Sequence, residues 1–292
     1  MNYDYYRVFY IVGKTKNITR AARELYTSQP AVTRTIKKLE NDLGCQLFYR
    51  TKNGMEFTEE GKNLYRYVED SFHALSKGED EIANSIALAT GTLRIGTTST
   101  SLNGILCEMI EKFSLKYPGV SYEIMTSSND EIISLLKRGI IDVATLTTPF
   151  HPNPDIKTIK SIEIKSILVA SPKYADLKNK EITPQMLEKY PFITLSRNMQ
   201  LREYIEETFA SLNMHIKPKI EIDVATLIIP LLEAGLGLSI LPRILVEEEI
   251  KQGKLIELKP GFDIPDRTIN IVYSESYLQT RVTRAFIKEI SE

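Results

Sequence analysis

The sequence predicts a chain that is α at its N-terminal end and α/β beyond it, in three parts: a winged helix-turn-helix over residues 1–58, a long linker helix over 59–90, and a two-lobed α/β domain over 91–292. Three observations predict this. Two short helical patterns meet at a turn between Thr19 and Gly44; residues 58–90 hold no proline while their apolar residues recur at helical intervals; and beyond Gly91 short apolar strands alternate with helices.

The second of the two N-terminal helices is legible from end to end. Val32, Ile36, Leu39 and Leu43 recur at steps of four, three and four, which puts them on one inward stripe. Ser28, or Thr27, can cap the exposed backbone N–H groups, and Pro30 falls in the first turn, where a missing donor costs little. In the preceding helix Ala21 and Ala22 are small enough for a close crossing, and Leu25 fills the angle between the two. Gln29, Thr33, Arg34 and Lys37 are left on the outer face, where they can reach base edges and phosphates in a major groove. A helix pair with a merely solvated basic face has the same pattern.

The next segment favours the DNA reading. Phe48 to Glu56 reads as two short strands turning at Asn53–Gly54, a wing whose Arg50 and Lys52 can hold the flanking backbone. Residues 1–58 contain ten Lys or Arg against five Asp or Glu, a net of +5, while the rest of the chain has 27 against 33, a net of −6. The overall −1 hides a basic part and an acidic part, and the basic part carries the motif.

Between Thr58 and Thr90, Tyr65, Val68, Phe72, Leu75, Ile82 and Ile86 recur at helical spacing in a charged background. Such a helix would extend about 45 Å, too long and too thinly apolar to fold on itself. A second copy of the chain is the expected partner; packing on its own C-terminal domain is the alternative, and Gly78 weakens a coiled coil.

Beyond Gly91, LRIGTT, VSYEIM and IDVATL read as strands separated by helices from about Leu102 to Lys116 and through Leu136. SILVAS, FITLS, KIEID and LGLSILP follow, with helices over about Leu201–Leu212 and Ala225–Ala234. The late strand RTINIVY and a helix around Tyr277–Ile290 complete the first lobe. Lobe I is thus 91–162 with 267–292 and lobe II is 163–266, with hinge crossings near Lys160–Lys165 and Ile264–Arg267. In open α/β sheets ligands gather at the carboxyl ends of strands. Thr97, Thr98, Ser99, Thr100 and Ser101 follow the first strand, and Ser127, Ser128 and Asn129 the next. Thr194, Ser196, Arg197 and Asn198 follow a strand across the expected cleft, and Thr226 opens a later helix. Each hydroxyl taken singly is better explained as a helix cap; their convergence on one edge points to a ligand.

The first 61 residues resemble the DNA-binding domain of LysR-type transcriptional regulators. The resemblance is carried by Phe9, Thr19, Ala21, Ala22, Leu25, Ser28, Gln29, Pro30, Ala31, Val32, Ile36, Leu39, Glu40, Leu43, Gly44, Leu47, Phe48, Arg50, Thr58 and Gly61 in that order and spacing. It implies base and phosphate contacts from Gln29, Pro30, Thr33, Arg34 and Lys37, with Arg50 from the wing; Thr33 stands where many members have Ser. Arg94, Ile95, Gly96, Tyr117, Pro118, Gly139, Asp142, Ala234, Gly235, Gly237, Leu241 and Pro242 extend the likeness to the effector domain of that family, itself similar to periplasmic solute-binding proteins. The resemblance implies that the cleft positions line an effector site, that the linker helix pairs two chains on an inverted repeat, and that tetramers form. It also implies double-stranded promoter DNA and RNA polymerase as partners. The effector expected is a small organic or inorganic anion or an amino-acid-like molecule, with no cofactor or metal.

Other classes fit less well. His73, His151 and His215 are scattered, and no Walker loop, nucleophile elbow, His-Glu-x-x-His or Cys-x-x-Cys occurs. Gly235-Leu-Gly-Leu-Ser enters a strand from a helix, the reverse of a dinucleotide loop, and reads as a helix C-cap. Cys45 and Cys107 lack metal-ligand spacing and are expected to be buried thiols. Asp130 and Glu131, adjacent on a helix, diverge and read as surface charge. No secretory signal and no run long enough to span a bilayer is present, so a cytoplasmic location is expected. A cytosolic solute-binding protein and an enzyme on a solute-binding scaffold are the rival readings.

Overall fold

The structure, a computed structural model, describes residues 2–52, 54–83, 90–151, 153–197, 199–212, 217–277 and 279–291. The chain divides into two compact units, Met1–Glu79 and Asp80–Glu292.

In the first unit α1 (Tyr3–Thr15), α2 (Ile18–Glu24) and α3 (Gln29–Leu43) enclose a core of Phe9, Val12, Ala21, Ala22, Val32, Ile36 and Leu39. The caps are local chemistry. Asn17 Oδ1 accepts from the N–H groups of Thr19 and Arg20 at 2.9 and 3.0 Å, and Ser28 Oγ from that of Ala31 at 3.4 Å. Leu43, expected on the inward stripe, is 42% exposed, because it lies in the last turn before Gly44, where no core residue reaches it.

The wing is β1 (Phe48–Thr51) paired antiparallel with β2 (Gly54–Phe57), Arg50 opposite Met55 and Thr51 opposite Gly54. Asn53, expected in its turn, lies outside the described residues. Two contacts fix the wing on the helices. Glu40 Oε1 accepts from the N–H groups of Leu47 and Phe48 at 2.8 and 3.4 Å, and Lys16 O accepts from that of Met55 at 2.9 Å. The approach of Lys16 is so close that a Cβ on Gly54, whose φ is 131°, would lie 2.4 Å from the Lys16 oxygen.

The linker helix α4 (Glu59–Ala83) is tethered at its start by Thr58, whose hydroxyl donates to Gln46 O and accepts from the Gly61 N–H at 2.7 and 2.9 Å. Tyr65, Val68 and Phe72 pack on the N-terminal core, while Leu75 and Ile82 are 55% and 75% exposed. Ile86 lies outside the described residues.

The second unit opens with β3 (Gly91–Thr97), then α5 (Ser99–Ser101), which passes through a π turn at Leu102–Leu106 into α6 (Cys107–Lys116). Next come β4 (Val120–Thr126), α7 (Asn129–Lys137), β5 (Val143–Thr147) and β6 (Ile156–Ile164). The second lobe contains β7 (Ser166–Ala170), β8 (Glu181–Ile182), α8 (Pro184–Leu187), β9 (Ile193–Leu195), α9 (Gln200–Ser211) and β10 (Ile220–Ile222). It continues with a 3-10 turn at Ala225–Leu227, α10 (Ile228–Glu233), β11 (Leu238–Pro242), α11 (Arg243–Lys251) and β12 (Ile256–Pro260). The chain then returns through β13 (Arg267–Ser274) to α12 (Arg281–Ser291).

Lobe I is a five-stranded sheet in the order β4-β3-β5-β13-β6, parallel among the first three and antiparallel where β13 enters. Its β6 reaches Ile164, opposite Arg267, two residues past the 91–162 expected for the first segment of this lobe. Lobe II is built on β11-β7-β12-β8, with the parallel pair β9-β10 joined to it through a bridge between Phe192 and Leu238. Gly235, at φ 70°, ends α10: its N–H and that of Leu236 bond back to Leu232 O and Leu231 O, the pattern of a helix C-cap. Cys45 is half-buried against the N-terminal core. Cys107 corrects the buried-thiol expectation: α6 turns Leu106 and Phe113 inward and leaves this thiol exposed.

Candidate functional site

Two places gather chemistry. On the first unit, Ser28, Gln29, Pro30, Thr33, Arg34 and Lys37 are all exposed along the start and outer face of α3, and Arg50 and Lys52 are exposed on the wing. Among the described residues none of Arg34, Lys37, Arg50 and Lys52 has an ion-pair partner, so all four cations are available to an external anion. The burial of Val32, Ile36 and Leu39 holds this helix rigidly by its other side. Tyr26, in the turn before it, is 97% exposed and sits at φ 51°, a conformation that a bulky side chain rarely adopts.

In the second unit a cleft of about 320 Å³ runs between the lobes. Its lobe I wall is polar: Thr98, Ser99, Thr100, Thr126, Ser127, Ser128, Asn129 and Thr147 line it. Its lobe II wall is mostly apolar, from Leu195, Met199, Leu201, Val224 and Ala225, with Asp223 as its charged member. Arg267, the first residue of β13, lines the cleft where the chain crosses back. Only 4% exposed, it donates from Nε to Thr148 O at 2.7 Å and stacks over the Tyr204 ring at 5.2 Å. Tyr204 in turn donates to Pro265 O in the crossing segment. Burial pushes the Arg267 guanidinium down to about 10, an effect that Tyr204 partly opposes; it is still a cation at neutral pH.

One family model, for the bacterial regulatory helix-turn-helix protein of the lysR family, matches residues 3–62, and another, for the LysR substrate binding domain, matches residues 87–292. The chain belongs to the LysR family. Its similar relatives include the uncharacterised HTH-type transcriptional regulator YraN of Bacillus subtilis, 30% identical over 95% of this chain and 93% of that one. BbuR of Bordetella bronchiseptica, also an HTH-type transcriptional regulator, is 28% identical over 87% and 78%. Among solved structures, full-length CbnR in complex with its target DNA superposes with a TM-score of 0.75 at 20% identity over 99% of both chains. A full-length OxyR from Pseudomonas aeruginosa gives 0.69 at 19% over 99% and 94%. These likenesses show the fold. The LysR-type chain is a DNA-binding transcriptional regulator with an effector-binding domain, and not an enzyme.

In this LysR-type regulator the sequence-derived cleft residues fall into three groups. Thr98, Ser99, Thr100, Ser128 and Asn129 come together on the lobe I wall. Of these, Ser99 and Thr100 have hydroxyls that no described residue engages, whereas Thr98 and Ser128 cap α5 and α7. Asn129 is wholly buried and binds both Thr147 O and Thr147 N–H, at 2.6 and 3.3 Å, so it fixes the end of β5. Ser101 is just behind the wall, buried, with its Oγ 3.3 Å from Thr147 Oγ1.

Thr194, Ser196 and Thr226 do not line the cleft. The Thr194 hydroxyl is buried, with no partner among the described residues, beside a separate cavity that Arg197 and Arg202 also line. Ser196 donates its N–H to Ile222 O at the end of the β9-β10 pair, and Thr226 lies inside the 3-10 turn whose neighbours Val224 and Ala225 face the cleft instead. For Thr194 and Ser196, on either side of Leu195, the period-two alternation of a strand exit decides this: one residue of displacement turns the side chain to the other face. Asn198 lies outside the described residues. Arg197, expected across the cleft, lines the separate cavity instead, and the cation that lines the cleft is Arg267, expected from the sequence only at a hinge crossing.

Proposed function

We propose that this regulator reads an inverted repeat in promoter DNA with Gln29, Pro30, Thr33 and Arg34 at base edges and with Ser28, Lys37, Arg50 and Lys52 at phosphates. The observation that carries this reading is the exposure of all eight residues on α3 and the wing, with none of their four cations ion-paired among the described residues. Two copies pair through α4, where Leu75 and Ile82 are exposed apolar residues on a charged helix, and dimers pair again into tetramers. A small molecule in the interlobe cleft favours one lobe arrangement by its differential affinity and so changes the spacing of the paired recognition helices. On this reading the protein works in the cytoplasm, with RNA polymerase as its downstream partner.

The test is fluorescence anisotropy of the full chain on the duplex upstream of its own gene, against a scrambled duplex, across a salt series. Preference for the upstream duplex with a steep salt dependence is expected; equal affinity for both at every salt concentration would refute the reading.

A further inference from the structure

Resting on the cleft reading above, we infer that the effector is a small organic monocarboxylate with an apolar body, its carboxylate seated against Arg267 and the hydroxyls of Ser99 and Thr100. Arg267 is a nearly buried cation that lines the cleft, and no described residue gives it a carboxylate partner. A buried guanidinium without an anion is unfavourable, and a planar carboxylate restores the missing charge with two parallel hydrogen bonds. The free hydroxyls of Ser99 and Thr100 line the same cleft.

The opposite wall selects the rest of the molecule. Leu195, Met199, Leu201, Val224 and Ala225 offer an inorganic oxyanion nothing but desolvation, whereas an aliphatic or aromatic body gains by displacing water from them. Asp223, an exposed carboxylate on that wall, disfavours a second anionic group and accepts an ammonium. The volume of about 320 Å³ is room enough for a small molecule of this kind. Plain carboxylic acids and apolar α-amino acids share this chemistry.

Arg267 is also placed to report occupancy. It bonds lobe I through Thr148 O and stacks on Tyr204 of lobe II, so an anion drawn to it acts on both lobes at the second crossing.

Isothermal titration calorimetry on the full chain tests the inference with two matched sets: L-leucine, 4-methylpentanoate and 3-methylbutylamine; and L-phenylalanine, 3-phenylpropanoate and 2-phenylethylamine, with sulfate alongside. At least one carboxylate is expected to bind saturably, with the matching amine and sulfate silent. A tighter amino acid than its deaminated partner would assign Asp223 to an ammonium; the reverse order would assign a plain acid. Arg267→Gln is expected to weaken binding about tenfold or more, Arg267→Lys to retain part of it, and Thr100→Val, which preserves shape if Arg267→Gln fails to fold, to weaken it several-fold. Silence from every carboxylate, or binding led by an amine or by sulfate, overturns the ligand class; if Thr100→Val weakens that binding, the cleft reading survives. A carboxylate whose affinity none of the three variants alters sits elsewhere, and then both the inference and the cleft reading fall.

Discussion

At the residue scale the recognition helix separates two kinds of contact. Gln29 offers an amide that can pair bidentately with a base edge, so Gln29→Ala should cost about 1–3 kcal/mol on the preferred duplex and little on a scrambled one. Lys37→Ala should weaken both duplexes alike and lower the slope of log affinity against log salt by about 1. Anisotropy titrations at four or five salt concentrations distinguish the two, and a uniform loss in both variants would show that Gln29 reads no base. Tyr26, 97% exposed at φ 51°, closes α2: its N–H and that of Thr27 bond back to Arg23 O and Ala22 O, so the left-handed turn is used while the bulky side chain in it gains little packing. Tyr26→Asn, a residue tolerant of that conformation, should raise stability by about 0.5–1 kcal/mol, visible as a higher melting temperature. Gln29, Arg34 and Lys37 could be found from sequence because the residues buried beneath them follow a helical period. Arg267 could not: nothing within ten residues of it states that Thr148 and Tyr204 will meet its guanidinium.

At the scale of elements, the wing depends on one backbone contact. Gly54→Ala would drive a methyl group to within 2.4 Å of the Lys16 oxygen, and neither atom belongs to a flexible side chain. A loss of about 2 kcal/mol in folding stability is expected, with weaker DNA binding as Arg50 and Lys52 move with the wing; an unchanged denaturation midpoint would show that the contact relaxes freely. The linker helix makes a separate prediction. Leu75→Glu combined with Ile82→Glu should convert a dimer to a monomer at micromolar concentration in sedimentation velocity without lowering helix content, whereas a dimer of undiminished affinity would place the pairing surface elsewhere. The sequence pattern of α4 is one stripe, yet its residues divide: Tyr65, Val68 and Phe72 serve the chain's own core, and Leu75 and Ile82 remain outside it. Periodicity states that a face is apolar and not what covers it.

For the whole molecule, two compact units with separate cores predict two transitions in scanning calorimetry, and a carboxylate bound in the cleft should raise only the one belonging to Asp80–Glu292. A single transition shifted as a whole would mean that the units unfold together. The sequence is enough to specify the helix-turn-helix, the wing, the linker helix and the alternation of strands and helices, because each is written in residues a few positions apart: Ser28 caps its own helix, Gly54 turns its own hairpin. It also determined the polar wall of the cleft, since Thr98 to Thr100 and Ser128 follow directly on their strands. The other wall and the charge come from the packing of the folded chain. The lobe II strand exits turn Leu195 inward and Thr194 away, and β13, more than a hundred residues beyond its sheet partner β5, delivers Arg267 to the edge where the lobes meet. Side-chain direction at a strand end and contact across such separations depend on how whole sheets pack, which no local pattern encodes.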